Sequence, residues 1–207
     1  MRRGSLRRVG RQSGFFPDLE RAQRRRAQRL QPALTIDIPS LRRHAQSQYY
    51  FLDDRERLDR RAREILECCK SYELAVGTGH VSWRESLALV EAARDIGFTR
   101  IIINHPLNQI IGAPVDALRR AAELGAFVEV CWNILAPGRM DAPELVHKLR
   151  EIGLKQVVAS TDYFRPYCPH PAELMRMFLG MLHEGGLNKE EVKQIAVANP
   201  ARFMGLA

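Results

Sequence analysis

Apolar residues along this chain fall into short runs that alternate with stretches of helical period. Leu74–Val76 and Ile101–Ile103 are two such runs, and the segment between them places Leu89, Val90, Ala93 and Ile96 on one helical face. Ser82 stands where a helix cap belongs, Glu85 completes a capping box three residues on, and Gly97 ends the pattern. The stretch reads as a strand–helix–strand unit. A histidine follows each strand within a few residues, His80 after the first and His105 after the second.

The same order of elements recurs downstream. IGFTRIIINH, LGAFVEVCWN and IGLKQVVAST each put a glycine after a helix and an apolar strand after the glycine; Gly97, Gly125 and Gly153 are spaced 28 and 28 residues apart. The intervening helices are expected at Val115–Leu124 and Ala142–Ile152, the second opened by an Asp141/Glu144 capping box with Pro143 in its first turn. Upstream, Ala33–Pro39 alternates as a strand, and Glu56–Cys69 reads as an amphipathic helix with Leu58, Ala62, Ile65, Leu66 and Cys69 on one face. Helices Pro171–Glu184 and Asn188–Ala198 close the chain, with Met175, Met177, Phe178 and Met181 expected in the core.

Strands near 33–38, 73–77, 100–104, 126–131 and 156–160 make five, alternating with helices, so the class is α/β with a parallel sheet. Five such strands suit an open doubly wound sheet or part of a (β/α) barrel. The patterned part spans only 33–207, short of the roughly 250 residues of a complete eight-unit barrel.

Charge separates a tail from this domain. Residues 1–30 hold ten arginines against Asp18 and Glu20, while the rest of the chain carries 22 basic and 22 acidic side chains, so the net charge of +8 belongs to the start. Residues 1–32 are therefore expected to be a basic, solvated tail and 33–207 the folded domain. The tail's composition also admits a transit peptide or an accidental leader. Arginine density alone gives salt-sensitive, non-specific contact, and no reader motif or aromatic stacking pattern accompanies it, so nucleic acid is not an expected partner. No apolar run approaches the roughly 20 residues of a membrane span. Cys68, Cys69, Cys131 and Cys168 form no CxxC spacing and read as reduced thiols of a cytoplasmic protein.

Three residues just beyond strand ends carry the candidate chemistry: His80, His105 and Asp162. Two imidazoles and a carboxylate suit zinc or a similar divalent ion. Taken singly, each histidine could be a capping or hydrogen-bonded residue and Asp162 a turn cap; their corresponding positions in successive units argue for one site. Arg165 and His170, in the loop after Asp162, are substrate-binding candidates facing the expected pocket or else solvent-facing loop residues. Glu129 and Trp132 belong to the same rim or to the core, and His44, His147 and His183 to the surface. Gly77-Thr78-Gly79 after a strand suggests a nucleotide loop, but Ser82 stands where a third glycine belongs and no acidic residue is placed for a ribose.

TGHVS, INHP, STDY and the closing NPARFMGL, over roughly Leu34 to Leu206, resemble the second half of amidohydrolase-superfamily barrels. More narrowly they are similar to an uncharacterised group of metal-dependent-hydrolase-like proteins in that superfamily. The resemblance implies a partial (β/α) TIM-type barrel whose strands are the fourth to eighth. It implies a divalent metal ion, zinc first, held by His80, His105 and Asp162, with Asp162 the catalytic base, and a small-molecule substrate. The superfamily's His-x-His pair has no counterpart, and Pro39, Ser40 and Leu41 stand where its bridging lysine is expected. The implied function is a truncated metal-dependent hydrolase; the alternative is a non-catalytic half-barrel acting through self-association. Open edges at Ala33–Pro39 and Gln156–Ser160 lead us to expect either a homo-oligomer or a poorly soluble chain.

Overall fold

The computed structural model describes residues 51–53, 57–109, 111–163 and 168–206. Asp59 accepts a bond from the Arg61 N–H and so starts helix α1 (Arg60–Ser71). Strand β1 (Val76–Gly77) leads to α2 (Trp83–Asp95), where Ser82 and Glu85 form the full capping box. Strand β2 (Ile101–Ile103), α3 (Val115–Glu123) and β3 (Phe127–Cys131) follow. After a short 3-10 turn over Trp132–Leu135 come α4 (Ala142–Ile152), β4 (Val157–Ser160) and α5 (Pro171–Glu184).

The four strands are all parallel and lie in chain order β1-β2-β3-β4, with Val76 beside Ile101, Ile102 beside Phe127, and Val128 beside Val157. The described residues thus hold four strands where five were expected; the strand expected at Ala33–Pro39 lies outside them, as do the arginine-rich tail, His44 and Arg165.

Strand periodicity divides the core into two unequal parts. Ile101, Ile103, Val128, Val130, Val157 and Ala159 pack with the helices in the main cluster. The alternate residues Ile102, Phe127 and Val158 form a second, small cluster on the other face, against which Phe203 packs. Helices α1 to α5 touch one another in sequence, as a single layer does.

Four expectations need correction. Leu58 precedes α1 and bridges Leu52, while Ile65 is exposed; only Ala62 and Leu66 of that face are buried. Asp141 accepts from the Glu144 N–H, but Glu144 turns its carboxylate to Lys148 one turn on, so half of that capping box is made. Met177 is exposed, although the next residue of α5, Phe178, is fully buried. The last expected helix, Asn188–Ala198, is two pieces, α6 (Lys189–Lys193) and a π-helical turn over Gln194–Ala198, and it runs on into α7 (Asn199–Met204).

Asn199 accounts for that last departure. It is fully buried, and its amide donates to the carbonyls of Leu154 (2.7 Å) and Val157 (2.5 Å). Its Oδ1 accepts from Gln194 and Arg202. The wider turn supplies the extra residue that brings this side chain onto the start of β4, a packing-driven bulge.

Candidate functional site

The carboxyl ends of the four strands are tied together by side chains. Asn104, next after β2, accepts the Gly79 N–H on Oδ1 at 2.9 Å and donates from Nδ2 to Glu129 Oε2 at 3.0 Å. Glu129 also accepts the His105 N–H (3.2 Å) and, on Oε1, the Ser160 hydroxyl (2.8 Å). One carboxylate on β3 therefore gathers groups from the ends of β2 and β4 directly, and reaches the end of β1 through Asn104. A charged group among apolar neighbours is tolerated only with such partners.

The proton order at the β3–β4 end follows from these bonds. Burial, then the charge of Glu129, pushes the Cys131 thiol far above its ordinary range, although its bond to Ser160 acts the other way. The thiol is therefore neutral. With the Ser160 hydrogen given to Glu129, Cys131 donates to Ser160 Oγ across 3.2 Å.

This frame sets the two histidines against each other. Gly79, with φ of 66°, turns the chain after β1 so that His80 reaches across to the neighbouring strand. His80 Nε2 and His105 Nε2 are 2.9 Å apart, with ring centroids at 4.7 Å and planes tilted by 48°. One of these nitrogens donates and the other accepts, so both imidazoles cannot be protonated there while the bond lasts. Partial burial of its ring, then the nearby His105, lowers the pKa of His80 below the ordinary 6.5; the charges of Asp162 and Glu129 oppose that shift.

Backbone strain concentrates at the same rim. Among the described residues, the non-glycine positions with positive φ are Glu73, His105 (30°) and Asp162 (45°). Each costs on the order of 1–2 kcal/mol. Two of the three are candidate residues. Asp162 Oδ2 accepts from Asn133 Nδ2 at 3.2 Å, and Asn133 sits in the turn that follows β3. His105 Nδ1 and Asn133 Oδ1 are buried without a hydrogen-bond partner. Both residues line a cavity of about 10 Å³, roughly the least space that admits one water molecule.

The structure thus joins His80 to His105 and holds Asp162 nearby through Asn133. Among the described residues, no group of three or more His, Cys, Asp or Glu side chains is arranged to hold a metal ion. Imidazole and carboxylate are nonetheless donor types that suit one. His170 caps α5, its Nδ1 accepting the Ala172 N–H at 3.4 Å, and Arg165 lies outside the described residues. Glu129, left open between rim and core, is the hub of the rim, whereas Trp132 packs against the main core. His147 is exposed beside Glu151, and His183 bonds the Leu187 carbonyl at the end of α5. Asn104, Asn133 and Ser160 were not singled out by the sequence reading. The signal that could have found the hub is a glutamate inside the apolar run FVEVC.

The sequence profile of a family described as "Family of unknown function (DUF6282)" matches residues 8–129, more than half of the chain. The matched span begins inside the arginine-rich segment and includes His80, His105 and Glu129, but ends before Asp162. Neither a curated protein nor a solved structure matches the chain.

Proposed function

Because the chain belongs to a family whose function is unknown, its own residues have to carry the reading: we propose that it is a metal-dependent hydrolase-like protein of the amidohydrolase type, built on part of a (β/α) barrel. The sheet winding supports the barrel element. Strands in chain order with their helices in one layer are the arrangement of a barrel wall, whereas a doubly wound sheet reverses its order at a switch point. The loops after the strand carboxyl ends are where such a wall presents chemistry.

The observation that carries the functional reading is the His80–His105 contact of 2.9 Å beside two carboxylates. Two nitrogens on one tetrahedral zinc stand roughly 3.3–3.4 Å apart for bonds of about 2.0–2.1 Å. The pair is about half an ångström tighter than that. His80 and His105 would hold the ion and Asp162 would close the set. When bound, a divalent ion supplies polarisation of the scissile bond and acidification of water. The protein's own part is to orient these groups. Glu129 holds the backbone of His105, Asn133 holds one oxygen of Asp162, and Asp162 is the proton acceptor for hydrolysis of a small amide or ester. Calorimetric titration of the metal-free full chain with zinc chloride tests the site. One ion per chain is expected in the wild type and none in a His80→Ala/His105→Ala variant; equal uptake by both would remove the site.

A second reading, a non-catalytic half-barrel acting through self-association, is favoured by the thin cover of the second sheet face. Among the described residues, Phe203 is the apolar side chain packed on Ile102, Phe127 and Val158 there, beside the Arg202 guanidinium on the Phe127 ring. Sedimentation at several concentrations separates the two readings. A concentration-dependent dimer that takes up no zinc favours the remnant, and a monomer excludes self-association.

A further inference from the structure

The opposite end of the sheet holds a second concavity, and it is built of cations. A cleft of about 490 Å³ opens beside the amino ends of β2, β3 and β4, lined by Thr99, Arg100, Gly125, Phe127, Gln156 and Arg202. Its volume falls within the range of small-molecule sites.

Both guanidiniums are held rigidly by neutral groups. Arg100 donates to the carbonyls of Glu73, Phe203 and Met204. Arg202 donates to the Lys155 carbonyl and to the side-chain oxygens of Asn199 and Gln156, and its guanidinium carbon lies 5.3 Å from the Phe127 ring centre. Among the described residues, neither is paired with a carboxylate. Carbonyl dipoles, even at the end of α7, offset only about half a charge. Two fixed cations therefore face one cleft with little to neutralise them. Each guanidinium keeps N–H groups beyond those already used. The cleft wall is also open at Gly125, where a Cβ would meet nothing within 4 Å.

We propose that this cleft binds a small oxyanion, the phosphate or carboxylate group of a small molecule, between Arg100 and Arg202. Rigid, pre-positioned guanidiniums lose little freedom on binding and present paired donors to such groups. The Thr99 side chain, exposed at the cleft wall, adds a hydroxyl, and the Phe127 ring gives an apolar floor for whatever carries the anion. The site is independent of the histidine pair, which lies at the other ends of the strands.

The test is calorimetric titration of the full chain with inorganic phosphate, and separately with acetate, at low ionic strength. The arginine-rich first thirty residues also attract anions, so the decisive variant is Thr99→Glu. Thr99 takes part in none of the arginine bonds, and the substitution adds a negative charge to the cleft wall. Saturable binding to the wild type that weakens at least about tenfold in Thr99→Glu, and is unchanged in His80→Ala, is the expected result. Arg202→Gln, checked for folding by its thermal transition, should weaken binding as well. A preference for phosphate or acetate identifies the oxyanion. Undiminished binding in Thr99→Glu, or no saturable binding of either anion to the wild type, would overturn the proposal.

Discussion

Gly77→Ala should destabilise the protein through one particular neighbour. A Cβ at position 77 would stand 2.6 Å from Asn104 Oδ1, an approach that no relaxed structure keeps. Gly77 has no positive φ to protect, so backbone strain is not the issue. Asn104 must swing away, and its bonds to Gly79 N–H and to Glu129 go with it. The first is worth about 1 kcal/mol and the second, to a charged group, about 1.5–3 kcal/mol. The total is about 2.5–4 kcal/mol. Urea unfolding reads it as a drop of roughly 1–4 M in midpoint at unchanged slope, for slopes of about 1–3 kcal/mol/M. A double-mutant cycle isolates the cause. Asn104→Ala removes the same two bonds, so Gly77→Ala made in that background should cost almost nothing more. If the two substitutions instead add to within about 0.5 kcal/mol, the clash with Asn104 is not what makes Gly77 necessary, and the account of the rim fails.

Three further outcomes follow from other parts of the fold. Asn199→Ala should cost about 2–4 kcal/mol, because it strips partners from the Leu154 and Val157 carbonyls where the last helix meets β4; a melting temperature near wild type would contradict that role. Ser82→Ala should cost about 1–2 kcal/mol in urea unfolding, since it uncaps α2 and removes a hydroxyl from the buried Glu85 carboxylate. His80 has a folded pKa below 6.5, so between the two values the unfolded chain binds more protons, and stability falls as pH drops through that window while it is whole above 6.5. With a chelator present, His80→Gln should flatten the dependence of the urea midpoint between about pH 7 and pH 5; an unchanged slope would place that proton uptake elsewhere.

The alternation of apolar runs and helical stripes was enough to define β1 to β4 and α2 to α5 within a few residues, because burial on a strand or a helix face imposes a period on the chain itself. It also marked His80 and His105 as neighbours in kind, since each follows its own strand. What it could not give was distance. That the two imidazoles touch depends on β1 and β2 being adjacent and on Gly79 turning the chain, both set by sheet order. Ile65 and Met177 satisfy a helical stripe by spacing yet face outward, because the partner that would cover them is a tertiary matter. The π-helical turn before Asn199 is likewise invisible locally: Gln194–Ala198 has ordinary helix-forming residues, and only the carbonyls of Leu154 and Val157 pull the chain into a wider turn. Glu129 states the division most clearly. The sequence put a glutamate inside an apolar strand; the packing of the neighbouring strand ends around it made that glutamate the hub of the rim, because a partly buried carboxylate persists only where donors from several elements converge on it.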